Sequence, residues 1–265
     1  MVGAKSEPGR ARERASSPLK RVSVKTVRRR MRELRDPADA KNLAWFFRTG
    51  PGQYGEGDRF LGLRVPVLRD LARGFRALPF DQTLLLLDSP WHEERLLALF
   101  LLVRMYDKGT DAVRDAVFRA YIDNLHCVNN WDLVDASAAQ IVGRHLRHTD
   151  RSLLHRLARS DNLWPRRVAI IATYHFIRDE DFRDTLDIAT ILLHDREDLI
   201  HKAVGWMLRE IGKRDVETER RFLDRHAATM PRTMLRYAIE KFPPELRAWY
   251  MRRPLDGDAR PDLQC

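Results

Sequence analysis

Small side chains recur along this chain at a nearly constant step, and this recurrence constrains the fold more than any other feature. They lie in segments with the apolar spacing of helices, and they are separated by 36, 35, 36 and 33 residues: Ala98, Val134, Ala169, Gly205 and Ala238. A step of about 35–45 residues is typical of helical-pair repeats, whose stacked pairs share one core. The sequence therefore predicts an all-α fold, an α-solenoid of HEAT-like helical pairs that forms a curved slab with a concave face. An irregular helical domain with chance spacing is the alternative.

The predicted repeat domain covers residues 21–252. Residues 1–20 are rich in Gly, Pro, Ser and charge, so we expect a disordered basic arm there, and we expect residues 253–265 to form a loose tail. Residues 1–35 contain 12 Lys and Arg against 3 Glu, which gives +9 of the net charge of +10. Such an arm is suited to contact with a polyanion, although a solvated extension without a target is the alternative.

Several functional classes find no support in the sequence. No apolar run approaches the roughly 18–20 residues that span a membrane, no secretory signal is visible, and Cys127 and Cys265 make no disulfide framework. No phosphate-binding glycine motif is present, and His145 and His148 lack further clustered metal ligands. We expect a cytoplasmic protein without a cofactor, a metal or a membrane contact. A single-chain clamp needs no second subunit, so we also expect a monomer.

The stretch Asn129–Asp135 predicts the entrance of a helix over residues 131–147. Asn130 is suited to cap this helix, Trp131 is its first residue, and Asp132 is a charge favoured by the helix N-terminus. Asp135 lies beside Trp131 on the helix surface, inside an apolar stripe. The stripe consists of Val134, Ala138, Ile141, Val142 and Leu146. A carboxylate on an apolar face is costly unless it is functional or paired, and pairing with an arginine of the next helix is the alternative to function.

Two predicted helices carry rows in which basic and aromatic residues share a face. In the helix predicted over 197–212 the row lies almost opposite the apolar stripe and consists of Lys202, Trp206, Arg209 and Lys213. In the helix predicted over 164–178 the row consists of Arg167, Ile171, Tyr174 and Arg178. Such rows on successive second helices favour a positively lined groove for a phosphate backbone. Packing of Trp206 against a neighbouring repeat is the alternative.

Four segments in this order resemble the AlkD-like DNA alkylation repair family, bacterial alkylpurine DNA glycosylases built of HEAT-like repeats. The resemblance covers roughly residues 30–245 and depends on the segments Phe60–Pro66, Asn130–Asp135, Leu163–Ala169 and Lys202–Glu210. It implies hydrolysis of the N-glycosidic bond of N3- or N7-alkylated purines in duplex DNA, without a base-flipping pocket, by a nucleoid-associated protein. Asn130 departs from the family, since some members have a second tryptophan there.

The resemblance also implies roles for individual residues. The implied catalytic residues are Trp131, Asp135 and Trp206. The implied DNA contacts are Arg167, Arg209 and Tyr54, to which the basic row adds Lys202 and Lys213. No amine nucleophile is identified in the cleft, where Lys202 is the nearest candidate, so the implied enzyme is monofunctional. A solenoid that binds damaged or branched DNA without catalysis, and a protein-binding scaffold, are the alternatives.

Overall fold

The computed structural model describes residues 22–252, and this part of the chain is helical without a strand. The predicted arm and tail lie outside the described residues. The helices are α1 (Val24–Glu33), α2 (Pro37–Phe46), α3 (Val65–Gly74), α4 (Phe80–Leu87), α5 (His92–Lys108), α6 (Asp111–Asp123), α7 (Trp131–Asp135), α8 (Ser152–Leu157), α9 (Leu163–Ala172), α10 (Tyr174–Ile177), α11 (Arg183–Ile191), α12 (Asp198–Gly212), α13 (Val216–His226), α14 (Arg232–Ala238) and α15 (Pro244–Arg252). In these residues no helix has the length and apolar character needed to cross a bilayer.

The second helices of successive pairs form one row, which confirms the predicted all-α solenoid. In this row α7 packs on α5 and α9, and α12 packs on α9 and α14. The five recurring small residues are all buried. At Gly205 a Cβ atom would lie 2.4 Å from the carbonyl oxygen of Met234, so α12 and α14 approach each other more closely than any other residue would allow.

Two predicted long helices, 131–147 and 164–178, are each interrupted in the middle. The first becomes α7, a π-helical turn at 139–143 and a 3-10 turn at 146–148, and the second becomes α9 and α10. At each break a buried hydroxyl donates to the carbonyl of the preceding turn, Ser137 over 2.6 Å and Thr173 over 2.7 Å. Such side-chain hydrogen bonds compete with the backbone ladder. The apolar spacing of a sequence contains no information about these hydrogen bonds. Both predicted helix lengths are therefore wrong.

The segment Phe60–Pro66 is fixed by a close backbone approach and by one buried carboxylate. Gly62 has φ +86°, and a Cβ atom there would lie 2.0 Å from the carbonyl oxygen of Asp36. The carboxylate of Glu93, near the start of α5, accepts hydrogen bonds of 2.8–3.1 Å from the N–H groups of residues 61, 62 and 63. These contacts hold the loop against α5.

A buried charge cluster joins this loop to the start of α7. The imidazole of His92 lies between two carboxylates, with Nδ1 3.0 Å from Asp58 and Nε2 2.8 Å from Asp132. Asp58 also accepts hydrogen bonds from Arg95 at 2.5 Å and from the side-chain amide of Asn130 at 3.2 Å. The cluster therefore fixes Asn130, the residue that departs from the resembled family, directly before α7.

The environment of His92 favours its charged form. Burial alone lowers the pKa of His92, but the charge of Asp132 and the hydrogen bonds to Asp132 and Asp58 outweigh it and raise the pKa to about 9. The rings of Phe47 and Phe60 lie 4.8 and 4.7 Å from the imidazole, where aromatic faces stabilise a cation. A charged imidazole is thus part of the interior beneath α7.

Titration of His92 predicts a loss of stability in alkali. Its pKa of about 9 in the folded protein exceeds the unfolded value near 6.5, so its stabilisation is complete below about pH 6.5 and is lost as the pH rises through 9. We expect this contribution to the free energy of unfolding to fall by up to roughly 3 kcal/mol over that range. Chemical denaturation of wild type and His92→Gln at several pH values measures it. Burial also raises the pKa of Glu219 to about 9, but Glu219 titrates in both proteins. The difference between their free energies of unfolding therefore reports on His92 alone. A constant difference would contradict this assignment.

The backbone of Gly62 predicts a destabilising substitution with a matched control. Gly62→Ala places a Cβ atom against a carbonyl oxygen at a left-handed φ, and we expect it to lower the free energy of unfolding by roughly 2–3 kcal/mol. Gly74→Ala, at the end of α3, meets no atom within 4 Å and should change stability by less than about 1 kcal/mol. Equal losses in the two variants, measured by urea denaturation, would refute the close-approach argument.

Candidate active site

The row of second helices and the segment after α2 enclose a cleft of about 550 Å³. Seven of the eight predicted side chains line it: Tyr54, Trp131, Asp135, Arg167, Lys202, Trp206 and Arg209. Four lining residues were not predicted: Phe46, Arg48, Leu199 and Tyr237. The eighth predicted residue, Lys213, lies outside this lining at the C-terminal end of α12, where its ammonium contacts Glu210 at 2.6 Å. A contact between Lys213 and DNA stays a prediction.

Trp131 is fixed at one side of the cleft by its backbone and by its ring. Asn130 has extended backbone angles, and its side-chain oxygen accepts a hydrogen bond from the N–H of Trp131 at 2.9 Å, which confirms the predicted cap. The indole stacks on the ring of Phe47 with centroids 5.3 Å apart and meets the edge of Phe46 at 5.9 Å. Because the ring of Phe47 also contacts His92, the buried charge cluster supports the position of the indole.

Asp135 faces the cleft while it is paired with an arginine of the next second helix. Nε and Nη2 of Arg167 donate to the two carboxylate oxygens of Asp135 over 2.9 and 2.8 Å. The carboxylate side chain is nevertheless 21% exposed, whereas that of Arg167 is 5% exposed. The sequence left two interpretations of Asp135 open, a paired charge and a functional carboxylate. The structure shows a carboxylate that is paired and also exposed to the cleft.

Two opposing effects set the ionisation of Asp135. Burial raises the pKa of Asp135, the charge and hydrogen bonds of Arg167 lower it, and the nearby charge of Asp132 adds to the rise. The net direction is upward. Asp135 is thus easier to protonate than an ordinary aspartate, and Arg167 limits the shift.

The partners of Arg167 bear on its predicted role as a DNA-backbone contact. Its guanidinium donates to both oxygens of Asp135 and, through Nη1, to the carbonyl of Leu199. The residue is 4% exposed. These donors are engaged and the residue has almost no exposed surface, so a contact between Arg167 and DNA stays a prediction. The sequence row was right about the helix but could not show which way the side chain turns.

Trp206 lies on α12 and is held by a residue that the sequence analysis did not identify. Its indole N–H donates to Glu210 over 3.2 Å, and its ring lies 6.3 Å from that of Tyr174. Glu210 also pairs with Lys213 and with Arg214. The spacing of four residues between Trp206 and Glu210 was the available signal, because such residues are neighbours on a helix.

The cations of the cleft differ in their partners. Lys202 pairs with Asp198 at 2.7 Å, Arg209 pairs with Glu240, and Arg167 pairs with Asp135. Within residues 22–252, Arg48 has no side-chain hydrogen bond or ion pair. Its backbone lies in the left-handed region at φ +52°, a strained conformation for a residue with a side chain. No periodic pattern marks such a loop residue, so sequence reasoning had no signal for Arg48.

Comparison with known proteins agrees with the fold. The family model described as DNA alkylation repair enzyme matches residues 27–242. A solved structure titled "Predicted DNA alkylation repair enzyme from Enterococcus faecalis" has a TM-score of 0.62 at 16% identity and covers 79% of this chain and 97% of that chain. That likeness shows a shared fold. No curated protein matches the sequence. Because the family model spans most of the sequence, the chain belongs to the DNA alkylation repair enzyme family.

Proposed function

We propose that this protein is a monofunctional DNA glycosylase that hydrolyses the N-glycosidic bond of N3- or N7-alkylated purines in duplex DNA. The observation that carries the proposal is the carboxylate of Asp135, which lines one cleft together with the indoles of Trp131 and Trp206. A carboxylate beside two indoles stabilises positive charge, both on the reacting sugar and on a cationic base. Family membership supports a role in alkylation repair and does not by itself specify this reaction.

The reaction requires little acid catalysis because the substrate is already charged. Alkylation at N3 or N7 leaves the purine cationic, so the bond from C1′ to nitrogen breaks with both electrons on a base that departs neutral. Positive charge then builds on the sugar, where Asp135 stabilises it electrostatically. The same carboxylate orients the water that attacks C1′, and the proton of that water passes to solvent. One carboxylate is sufficient for these two tasks.

Arg167 keeps Asp135 suited to this role. The bidentate pair fixes both carboxylate oxygens, and the guanidinium favours the ionised form against the effect of burial. Only the ionised form can stabilise the developing cation. Arg167 is therefore a positioning residue in this proposal.

The two tryptophans are suited to hold a cationic ligand. Indole faces attract cations by roughly 0.5–2 kcal/mol, depending on desolvation. The ring of Trp131 is fixed by Phe47, and the ring of Trp206 is fixed through its N–H by Glu210. The carboxylate side chain of Asp135 is 21% exposed in this cleft, so a lesion can meet it without rotating into a separate pocket. This arrangement is compatible with hydrolysis of a base that remains in the duplex.

The rim of the cleft supplies contacts to the nucleic acid backbone. Arg48 needs no exchange of a carboxylate partner before it binds a phosphate, whereas Lys202 and Arg209 do. The last turn of α2 adds two exposed aromatic side chains, Trp45 at 83% and Phe46 at 54% exposure. Exposed aromatic surface of this kind is typical of an interaction site. All these groups come from one chain, so a monomer can engage DNA.

The ammonium of Lys202 is the amine of the cleft lining and pairs with Asp198. A paired, charged amine is a poor nucleophile. We therefore assign no lyase step to this cleft, and borohydride trapping of a covalent complex with DNA would overturn that assignment.

The first experiment compares wild type with Asp135→Asn. We expect wild type to release 7-methylguanine and 3-methyladenine from methylated duplex DNA, and we expect the variant to release them at least about 100-fold more slowly, because it keeps the shape and loses the charge. DNA affinity should change by less than about threefold. Chromatography of the released bases and fluorescence anisotropy of labelled duplex measure the two quantities.

Asp195→Asn is the matched control. Asp195 accepts two hydrogen bonds from Arg166 at 2.6 and 3.2 Å outside the cleft, so the control removes the same charge from an equivalent ion pair. Base release should stay within a few-fold of wild type. Comparable losses in both variants would mean that Asp135 acts through stability alone. Intact DNA binding with no base release by wild type would favour the non-catalytic alternative.

A second prediction concerns Arg48. Arg48→Gln should weaken binding to any duplex by about tenfold at low ionic strength, and should reduce the slope of log affinity against log salt by about one, as expected for one lost phosphate contact. Arg119→Gln, an exposed arginine on α6, makes the same change in net charge away from the cleft. Anisotropy titrations over a salt series compare them. Identical slopes in all three proteins would remove Arg48 from the interface.

A further inference from the structure

Three side chains with different metal-binding atoms converge near the segment that leads into α7. They are Asp88, which follows α4, and His126 and Cys127 in the 3-10 turn Leu125–Cys127. A carboxylate oxygen, an imidazole nitrogen and the thiol sulfur all lie within 4.8 Å of one another. Cys127 is buried, and the other two are exposed. None of the three lines the reaction cleft.

The cluster lacks the internal contacts that would explain it as a structural polar network. Within residues 22–252, none of the three side chains makes a hydrogen bond or an ion pair. Arg95, whose charge acts on the thiol of Cys127, is already engaged by Asp58 at 2.5 Å and by the carbonyl of Ser89 at 2.9 Å. A carboxylate, an imidazole and a thiol that are not engaged by other side chains can all turn their lone pairs to one cation.

We propose that Asp88, His126 and Cys127 bind a thiophilic divalent transition metal of the zinc type. Zinc accepts a carboxylate, an imidazole and a thiolate at about 2.0–2.3 Å in a tetrahedral arrangement, with water as the fourth ligand. These bond lengths place neighbouring ligand atoms roughly 3.3–3.8 Å apart. A shift of about 1 Å brings the three atoms to that spacing, and the exposed side chains of Asp88 and His126 are free to make it. Binding forms a metal–sulfur bond and releases the thiol proton to solvent.

The position of this site gives the metal a structural consequence. Asp88 directly follows α4, and only residues 128–130 separate Cys127 from Trp131 at the start of α7. A metal held by these ligands ties α4 to the segment that leads into Trp131, which lines the cleft. It adds a constraint beside the charge cluster around His92, and it takes no part in bond cleavage. This inference does not depend on the proposed glycosylase activity.

Cobalt(II) is the probe that tests the site, because a cobalt–thiolate bond gives a charge-transfer band in the near ultraviolet and tetrahedral cobalt gives strong visible bands. The experiment uses the full chain with Cys265→Ser, so that Cys127 is the remaining thiol. We expect one cobalt per chain, with bands that added zinc abolishes. Cys127→Ser should abolish the charge-transfer band. Asp88→Asn and His126→Gln should each weaken metal binding at least about tenfold.

His148→Gln is the control, since it removes an exposed histidine outside the cluster, and its cobalt affinity should equal that of the parent. Asp88→Asn keeps the test decisive if Cys127→Ser fails to fold, because Asp88 lies on the surface. Zinc at 100 times its dissociation constant should also raise the melting temperature of the parent by roughly 5 °C, and it should not raise that of Asp88→Asn. Absence of a charge-transfer band at saturating cobalt, or a band that survives Cys127→Ser, would overturn the proposal.

Discussion

The close packing of successive second helices is the constraint on which the cleft depends. Small residues at the recurring positions bring these helices together, and Gly205 leaves no room for a Cβ atom against α14. At two of these positions the residue that follows the small one lines the cleft. Asp135 follows Val134, and Trp206 follows Gly205, so two groups 71 positions apart in the sequence share one cleft. The repeat thus positions the site before any specific side-chain contact is made.

The positive and negative side chains of this cleft differ in how far they are paired. Lys202 and Arg209 are compensated by carboxylates, while Asp135 keeps part of its surface exposed despite its pairing with Arg167. A nucleic acid that binds here must exchange phosphates for those carboxylates, except at Arg48, where no exchange is needed. The proposed function therefore assigns separate places to a cationic base and to anionic phosphates. The strained backbone of Arg48 is consistent with a side chain whose direction matters more than its local stability.

The sequence predicted the parts of the site that are carried by helix periodicity. The repeat step, the cap at Asn130 and the shared face of Trp131 and Asp135 follow from regular geometry, and regular geometry is what apolar spacing encodes. The breaks at Ser137 and Thr173 escaped it because a hydroxyl that bonds a backbone carbonyl leaves the apolar pattern unchanged. A helical wheel gives the face of a residue and not the partner its side chain reaches.

Long-range side-chain contacts also explain why Arg167 and Asp135 were assigned separate roles. The two residues are 32 positions apart in the sequence. Arg167 belongs to a basic row and Asp135 to an apolar face, and each pattern favours an independent function. Joined, they form a unit in which Arg167 opposes the effect of burial on the Asp135 carboxyl. The cost of placing a carboxylate on an apolar face is thus reduced by the same contact that orients it. Pairing and function are for this reason not competing explanations, because the pairing favours the ionised carboxylate that the proposed reaction needs.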